Sequence, residues 1–203
     1  MVSNTIDLPA PHALDLVIDF VNTLDIDADT DALSTPRELD AWLRERQLLR
    51  PGARIPSETD RLDALRLREA LRALMLANSH EAADEDAGAE LERAARRGDL
   101  VVHFTPSGSV SLLPRTGGPA GALAQLLVPV VRAREDGSWR RVKACRAPGC
   151  QWAFYDRSRN RSGVWCEMAV CGNRAKVRAY RDRGPGKRAR RAPGASPGSA
   201  PRP

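Results

Sequence analysis

Four cysteines carry the most legible chemistry in this chain. Cys145 and Cys150 enclose Arg-Ala-Pro-Gly, Cys166 and Cys171 enclose Glu-Met-Ala-Val, and no other cysteine occurs in the 203 residues. Thiolates are ligands for borderline and soft metals, and a four-residue gap lets the chain turn so that both sulfurs of a pair reach one ion. Two such pairs, separated by a loop with Trp152, Phe154 and Tyr155, read as one closed four-thiolate site whose default occupant is a single Zn2+ ion. Two disulfides, four unrelated buried thiols, an iron–sulfur cluster or redox dithiols are the competing readings. Residues 1–20 carry Asp7, Asp15 and Asp19 and lack a basic start followed by an apolar core, so no signal peptide is expected. A cytoplasmic chain keeps its thiols reduced, which favours the metal. His12, His80 and His103 lie far upstream and are not needed as ligands.

The elements that must position these cysteines sit in a chain of uneven charge. Between Arg132 and Ala192 there are 18 Lys and Arg against five acids, whereas residues 1–131 hold 13 basic residues against 21 acids. An acidic body with a basic C-terminal third points to a polyanion partner. Arg richness from coding bias would not separate Arg from Asp and Glu. No run approaches the roughly 18–20 apolar residues of a membrane span.

The hydrophobic pattern predicts an α+β domain over 1–135, mostly helical with one β-hairpin. Residues 12–24 show a helical stripe at Leu14, Val17, Ile18, Val21 and Leu24, with Asn22 and Thr23 on the polar side. Asn22 would either contact a ligand, with Thr23, or end the helix and bond to a neighbouring loop. After an acidic linker at 25–31, Thr35, Pro36 and Glu38 form a capping box for a helix that runs to Arg50-Pro51-Gly52. Ser57 to Asp60 can cap the longest helix, buried at Leu67, Leu71, Leu74 and Met75; a weaker helical pattern covers 81–97. Leu100–Phe104 and residues 110–113 read as a hairpin. Pro119 opens a last helix that Pro129 kinks or ends. No nucleotide-binding glycine motif, catalytic Ser/His/Asp order or metalloprotease spacing is present.

Residues 136–183 form the basic module, with short strands expected over 140–145 and 151–155 around the first cysteine pair. So small a module has little core, so metal binding would supply much of its folding free energy, on the order of 10 kcal/mol. Cys171 falls where a helix should begin, with Asn173 as its cap and Val177 and Tyr180 facing inward. Arg174, Arg178 and Arg181 recur at helical spacing, with Lys176 beside them. The loop after Asp156 adds Arg157, Arg159, Asn160 and Arg161. These side chains suit phosphate contact, with base readout by Arg174 or Asn160. Alternatively, Asp156 pairs with a neighbouring Arg, and Asn173 and Arg174 brace the metal loops. Residues 184–203 are low-complexity and expected to be disordered.

The run from Cys145 through Cys150-Gln-Trp-Ala-Phe-Tyr-Asp-Arg-Ser-Arg-Asn-Arg161 to Trp165-Cys166-Glu-Met-Ala-Val-Cys171-Gly-Asn-Arg174 closely resembles the bacterial CGNR zinc finger proteins. Phe20-Val-Asn-Thr23 and the upstream layout resemble the N-terminal ABATE domain of that family. The resemblance implies a treble-clef-like module with zinc on Cys145, Cys150, Cys166 and Cys171, an α+β N-terminal domain associated with stress-induced transcription regulation, and DNA binding. The reading is a cytoplasmic, zinc-dependent regulator that binds duplex DNA. Its N-terminal domain would sense a small-molecule effector or form a homodimer. A protein–protein adaptor, or a ligand-binding protein or enzyme with a pocket near Phe20 to Thr23, is the alternative. Four thiolates leave no open coordination position, so catalysis at zinc is not expected, and the leading reading is not an enzyme.

Overall fold

The computed structural model describes residues 10–79 and 84–182, with side chains from Ala13 onward; His80 and the 184–203 segment lie outside the described residues. The chain divides into two compact units, Met1–Cys166 and Glu167–Pro203. No helix among the described residues is long and apolar enough to cross a membrane.

In the first unit, α1 (Ala10–Val21) buries Leu14, Val17, Ile18, Phe20 and Val21. The helix stops at Val21, before the expected Leu24, which instead pairs with Asp31 in the two-residue strands β1 (Leu24–Asp25) and β2 (Thr30–Asp31). The expected acidic linker is therefore a small ladder. Its Asp31 is gripped by both terminal nitrogens of Arg68, at 2.7 and 3.0 Å. Burial pushes the Asp31 carboxyl up, but bonds from Arg68 and the Leu33 amide, with the charges of Arg68 and Arg61, together hold it below the usual range.

Local signals placed the next two helices. Thr35 Oγ1 accepts from the Glu38 amide and the Glu38 carboxylate accepts from the Thr35 amide, closing the capping box of α2 (Pro36–Glu45). Leu39, Trp42 and Leu43 are its buried face. It ends at Arg46, short of the expected Pro-Gly, because Gln47 takes a left-handed φ of 57° and sends Leu48 and Leu49 into the core separately. Ser57 and Asp60 form a second capping box for α3 (Glu58–Ala77), whose Ala64, Leu67, Leu71 and Met75 pack centrally.

Of the helical pattern expected over 81–97, residues 81–83 lie outside the described residues and the rest holds a helix, α4 (Glu85–Arg97). Gly98 closes it where a Cβ would stand 2.2 Å from that of Ala124, so only glycine permits the approach. Strands β3 (Leu100–Phe104) and β4 (Val110–Pro114) form the expected antiparallel hairpin, with Phe104 opposite Val110. His103 lies exposed on it. The last helical stretch is two helices, α5 (Gly118–Gln125) and α6 (Leu127–Glu135), broken at Leu126. Pro129 lacks the amide that would bond to the Gln125 carbonyl, and its ring would clash there. The break therefore precedes the proline, which sits in the first turn of α6.

Beyond α6 the core continues. A 3₁₀ turn (Ser138–Arg141) buries Trp139, and the antiparallel strands β5 (Val142–Ala144) and β6 (Ala153–Tyr155) follow. Val142, Ala144 and Ala153 belong to the same apolar cluster as Phe20, Leu67 and Met75. The expectation of a nearly coreless basic module is corrected here: its hairpin rests on the N-terminal core.

Side chains at the ends of α1 and α3 close this hairpin's edges. Asn22 donates to the Ala153 carbonyl (3.0 Å) and accepts from the Ala153 amide (2.7 Å). Asn78 donates to the carbonyls of Trp139 and Val142, both at 2.8 Å, and Ser79 Oγ to that of Ala144. Asn78→Ala should strand two carbonyls and destabilise the protein by about 2–4 kcal/mol. Urea denaturation would measure this against Thr35→Ala, which removes only a helix cap worth about 1 kcal/mol.

Candidate metal centre and basic surface

The hairpin of β5 and β6 sets the first cysteine pair. The Cys145 amide donates to the Trp152 carbonyl (2.9 Å), extending the ladder by one rung. The amides of Cys150 and Gln151 both return to the Ala147 carbonyl, and Gln151 takes a φ of 49°, so the chain turns tightly between the ligands. The second pair starts from a different device. Cys171 and Gly172 both donate to the Glu167 carbonyl, forming a π-helical turn (Met168–Gly172) that runs straight into α7 (Asn173–Asp182).

The Sγ atoms of Cys145, Cys150, Cys166 and Cys171 all lie within 4.8 Å of one another, and those of Cys150 and Cys166 are 3.6 Å apart. None of the four is in a disulfide. Metal–sulfur bonds of about 2.3 Å in a tetrahedron put neighbouring sulfurs about 3.8 Å apart, so the cluster fits one ion. Cys145 and Cys171 are buried, Cys150 and Cys166 half-buried. Burial pushes the Cys166 thiol up, and the neighbouring sulfurs of Cys150 and Cys145 raise it further. A cation among the sulfurs would reverse this balance by stabilising thiolates. The donor set is closed, so such an ion would act as a structural crosslink.

The loop after β6 is built on a buried ion pair. Lys143 and Asp156 are 1% and 3% exposed at their side chains, with Nζ 2.8 Å from Oδ2. The sequence pointed to a neighbouring Arg as the partner of Asp156; a lysine thirteen residues upstream takes that place. Three acceptors converge on its ammonium: Asp156 Oδ2 and the carbonyls of Arg161 (2.6 Å) and Gly163 (2.9 Å). That convergence suits a compact ammonium better than a planar guanidinium. Burial pushes the Asp156 carboxyl up, but bonds from Lys143, Ser158 and Gly163 outweigh it and hold it at about 2.

Arg157, Arg159, Asn160 and Arg161 are exposed on this loop, and Arg174, Lys176, Arg178 and Arg181 are exposed on α7. Three expectations for α7 need correction. Asn173 is not its cap: the helix begins at the π turn, so Asn173 is already helical and donates to the Ala169 carbonyl (2.9 Å). Val177 and Tyr180, expected to face inward, are 49% and 74% exposed.

Of the two readings of Asn22 and Thr23, a ligand contact or a bond to a neighbouring segment, the structure shows the second. Asn22 spends both amide atoms on Ala153. Thr23 is buried, donates to the Phe20 carbonyl (2.7 Å) and accepts from Arg68 (3.2 Å). Arg72, also missed by sequence reasoning, donates to the carbonyls of Val21 and Gln151, both at 2.8 Å. It thereby ties α1 to the residue after Cys150. Its only sequence signal is an arginine one residue from Leu71 on the buried stripe.

Two outcomes follow for the metal and the ion pair. Because the hairpin rests on a shared core, chelating the metal should leave the helical core folded and raise amide exchange mainly over 145–172. Global unfolding on chelation would contradict this arrangement. Asp156 titrates below its ordinary 3.8, at about 2. It therefore contributes stability above pH ~4, on the order of 2 kcal/mol, which is lost as pH falls towards 2. The stability gap between the protein and Asp156→Asn, measured in urea, should shrink over that window.

No curated protein matches the chain. Two family models do: the CGNR zinc finger over residues 141–184, and ABATE, described as "Putative stress-induced transcription regulator", over residues 14–141. With the second covering more than half the sequence and the first covering the cysteine cluster, the chain belongs to the ABATE family and carries a C-terminal CGNR zinc finger.

Proposed function

We propose that this protein is a transcription regulator that binds duplex DNA through its zinc-loaded basic region, and that it is not an enzyme. The observation that carries this reading is the presentation of the cations. Arg157, Arg159, Arg161, Arg174, Lys176, Arg178 and Arg181 are all exposed. The acid embedded among the loop arginines, Asp156, is buried against Lys143 and does not neutralise them. The ion held by Cys145, Cys150, Cys166 and Cys171 is proposed to be one Zn2+, the usual occupant of a closed tetrahedral thiolate set. The family description supports the regulatory role. The N-terminal domain is assigned effector sensing or dimerisation on that description alone.

Exposed Val177 and Tyr180 support a second reading, in which the zinc region docks an acidic protein partner. Salt separates the two. If the seven cations each neutralise about one phosphate, log K for a duplex should fall against log salt with a slope of roughly −5 to −7. Retention of the zinc-loaded protein on immobilised duplex, followed through a salt series, checks this. No retention at low salt would end the DNA reading, whereas salt-sensitive capture of an acidic protein without DNA retention would favour the adaptor.

A further inference from the structure

Residues 157–162 are exposed throughout, so no apolar contact orders this stretch. The loop is nevertheless tied at both ends to one buried centre. Asp156 Oδ1 accepts from the Ser158 amide and Oδ2 from the Gly163 amide, each at 2.9 Å. The Lys143 ammonium takes the carbonyls of Arg161 and Gly163 on the closing side. Arg141 donates to the carbonyls of Asp156 and Ser158 on the opening side, both at 2.9 Å. Across the middle, the Ser162 amide donates to Ser158 Oγ (3.1 Å). A Cβ on Gly163 would stand 2.8 Å from Asp156 Oδ1, so any side chain there would force the carboxylate to shift.

We propose that the 156–163 loop is a preorganised clamp for the phosphates of a nucleic-acid backbone, and that the buried Lys143–Asp156 pair is the positioning element that holds Arg157, Arg159 and Arg161 in the array. This rests on the DNA-binding reading and deepens it. Stability alone is a weak reason for the pair, because well-packed apolar residues in its place are often as stabilising. Apolar residues could not fix the loop's amides and carbonyls, whereas one ammonium and one carboxylate bind four of the loop's backbone groups between them. With the backbone held before binding, the arginines spend less ordering entropy on contact. The contacts are to phosphate and carry no base information themselves.

The pair can be removed without changing net charge, and this makes the proposal testable. The full zinc-loaded chain is compared with K143M/D156L, with G163A, and with R157Q/R159Q/R161Q as the reference for losing all three contacts. A short mixed-sequence duplex is the probe; readouts are affinity across a salt series, metal per chain, and amide exchange at Ser158 and Gly163. The triple arginine variant should flatten the salt slope by roughly 3 units. K143M/D156L and G163A keep every loop arginine, yet should lose amide protection, bind about tenfold more weakly and flatten the slope by roughly 1–3 units, with metal content unchanged. Should the double replacement fail to fold, G163A carries the test, since it displaces the Asp156 carboxylate and leaves all charges in place. A loosened loop with wild-type affinity and slope overturns the proposal, as does a loop that stays protected in both variants. No duplex binding by the wild-type chain overturns the DNA reading and the clamp together, whereas wild-type binding matched by the variants removes the clamp alone.

Discussion

Buried backbone must be hydrogen-bonded, and two strands of three residues cannot satisfy their own outer edges. The fold's answer to that constraint positions everything else. Strand β6 turns its outward amide and carbonyl at Ala153 to Asn22, and β5 turns its carbonyls to Asn78 and Ser79. Each of these residues lies just past the last turn of a core helix. Arg72 adds the Gln151 carbonyl from within α3. The ladder so fixed reaches Cys145, and the tight turn it launches returns Cys150. The geometry of the first metal-ligand pair is therefore set by the ends of α1 and α3.

The cations buried in this fold show how charge is tolerated there. Arg68 is matched to a carboxylate by its planar fork, Arg72 spreads its nitrogens over two carbonyls and Glu69, and Lys143 gathers three oxygens around a point. A buried cation short of partners would carry a desolvation penalty of several kcal/mol. Each one is thus a constraint on several segments at once. Arg68 fixes β2 to α3, Arg72 fixes α1 to the cysteine turn, and Lys143 fixes both ends of the arginine loop. Arg157, Arg159 and Arg161, by contrast, are exposed on the loop that Lys143 holds.

What the sequence disclosed and what it hid divide along the distance between partners. Thr35 with Glu38, Ser57 with Asp60, and the hairpin of Leu100–Phe104 with residues 110–113 were legible because donor and acceptor lie within one turn or one hairpin. The cysteine spacing was legible because metal geometry limits what spacing can work. Asn22 and Ala153 stand 131 residues apart, and Arg72 and Gln151 stand 79 apart, so no local pattern joins them. For Asn22 the sequence favoured a bond to a neighbouring loop over a ligand contact, but it could not say which loop. Lys143 was hidden differently. A lysine in a short strand reads as an exposed position, and the convergence of three oxygens on it appears only after the loop has folded back. The start of α7 failed for a local reason: a cap was sought at Asn173, but the Glu167 carbonyl had already gathered the amides of Cys171 and Gly172.

The change in chemistry near residue 141 is real, since acidic helices give way to cysteines and arginines and the two family matches meet there. The packing takes no notice of it. Val142, Ala144 and Ala153 sit in the same cluster as the helical core, and the compact unit runs on to Cys166. Cutting the chain at the sequence boundary would uncover that cluster. It would also leave Arg72 without its Gln151 carbonyl and the Asn22 amide without a strand to close. The N-terminal helices and the strands that carry the first cysteine pair therefore share one apolar core, while the cysteine turns beyond those strands do not contribute to it. Asn22, Arg72 and Asn78 are the hydrogen bonds by which the ends of α1 and α3 hold the hairpin that carries the basic loop.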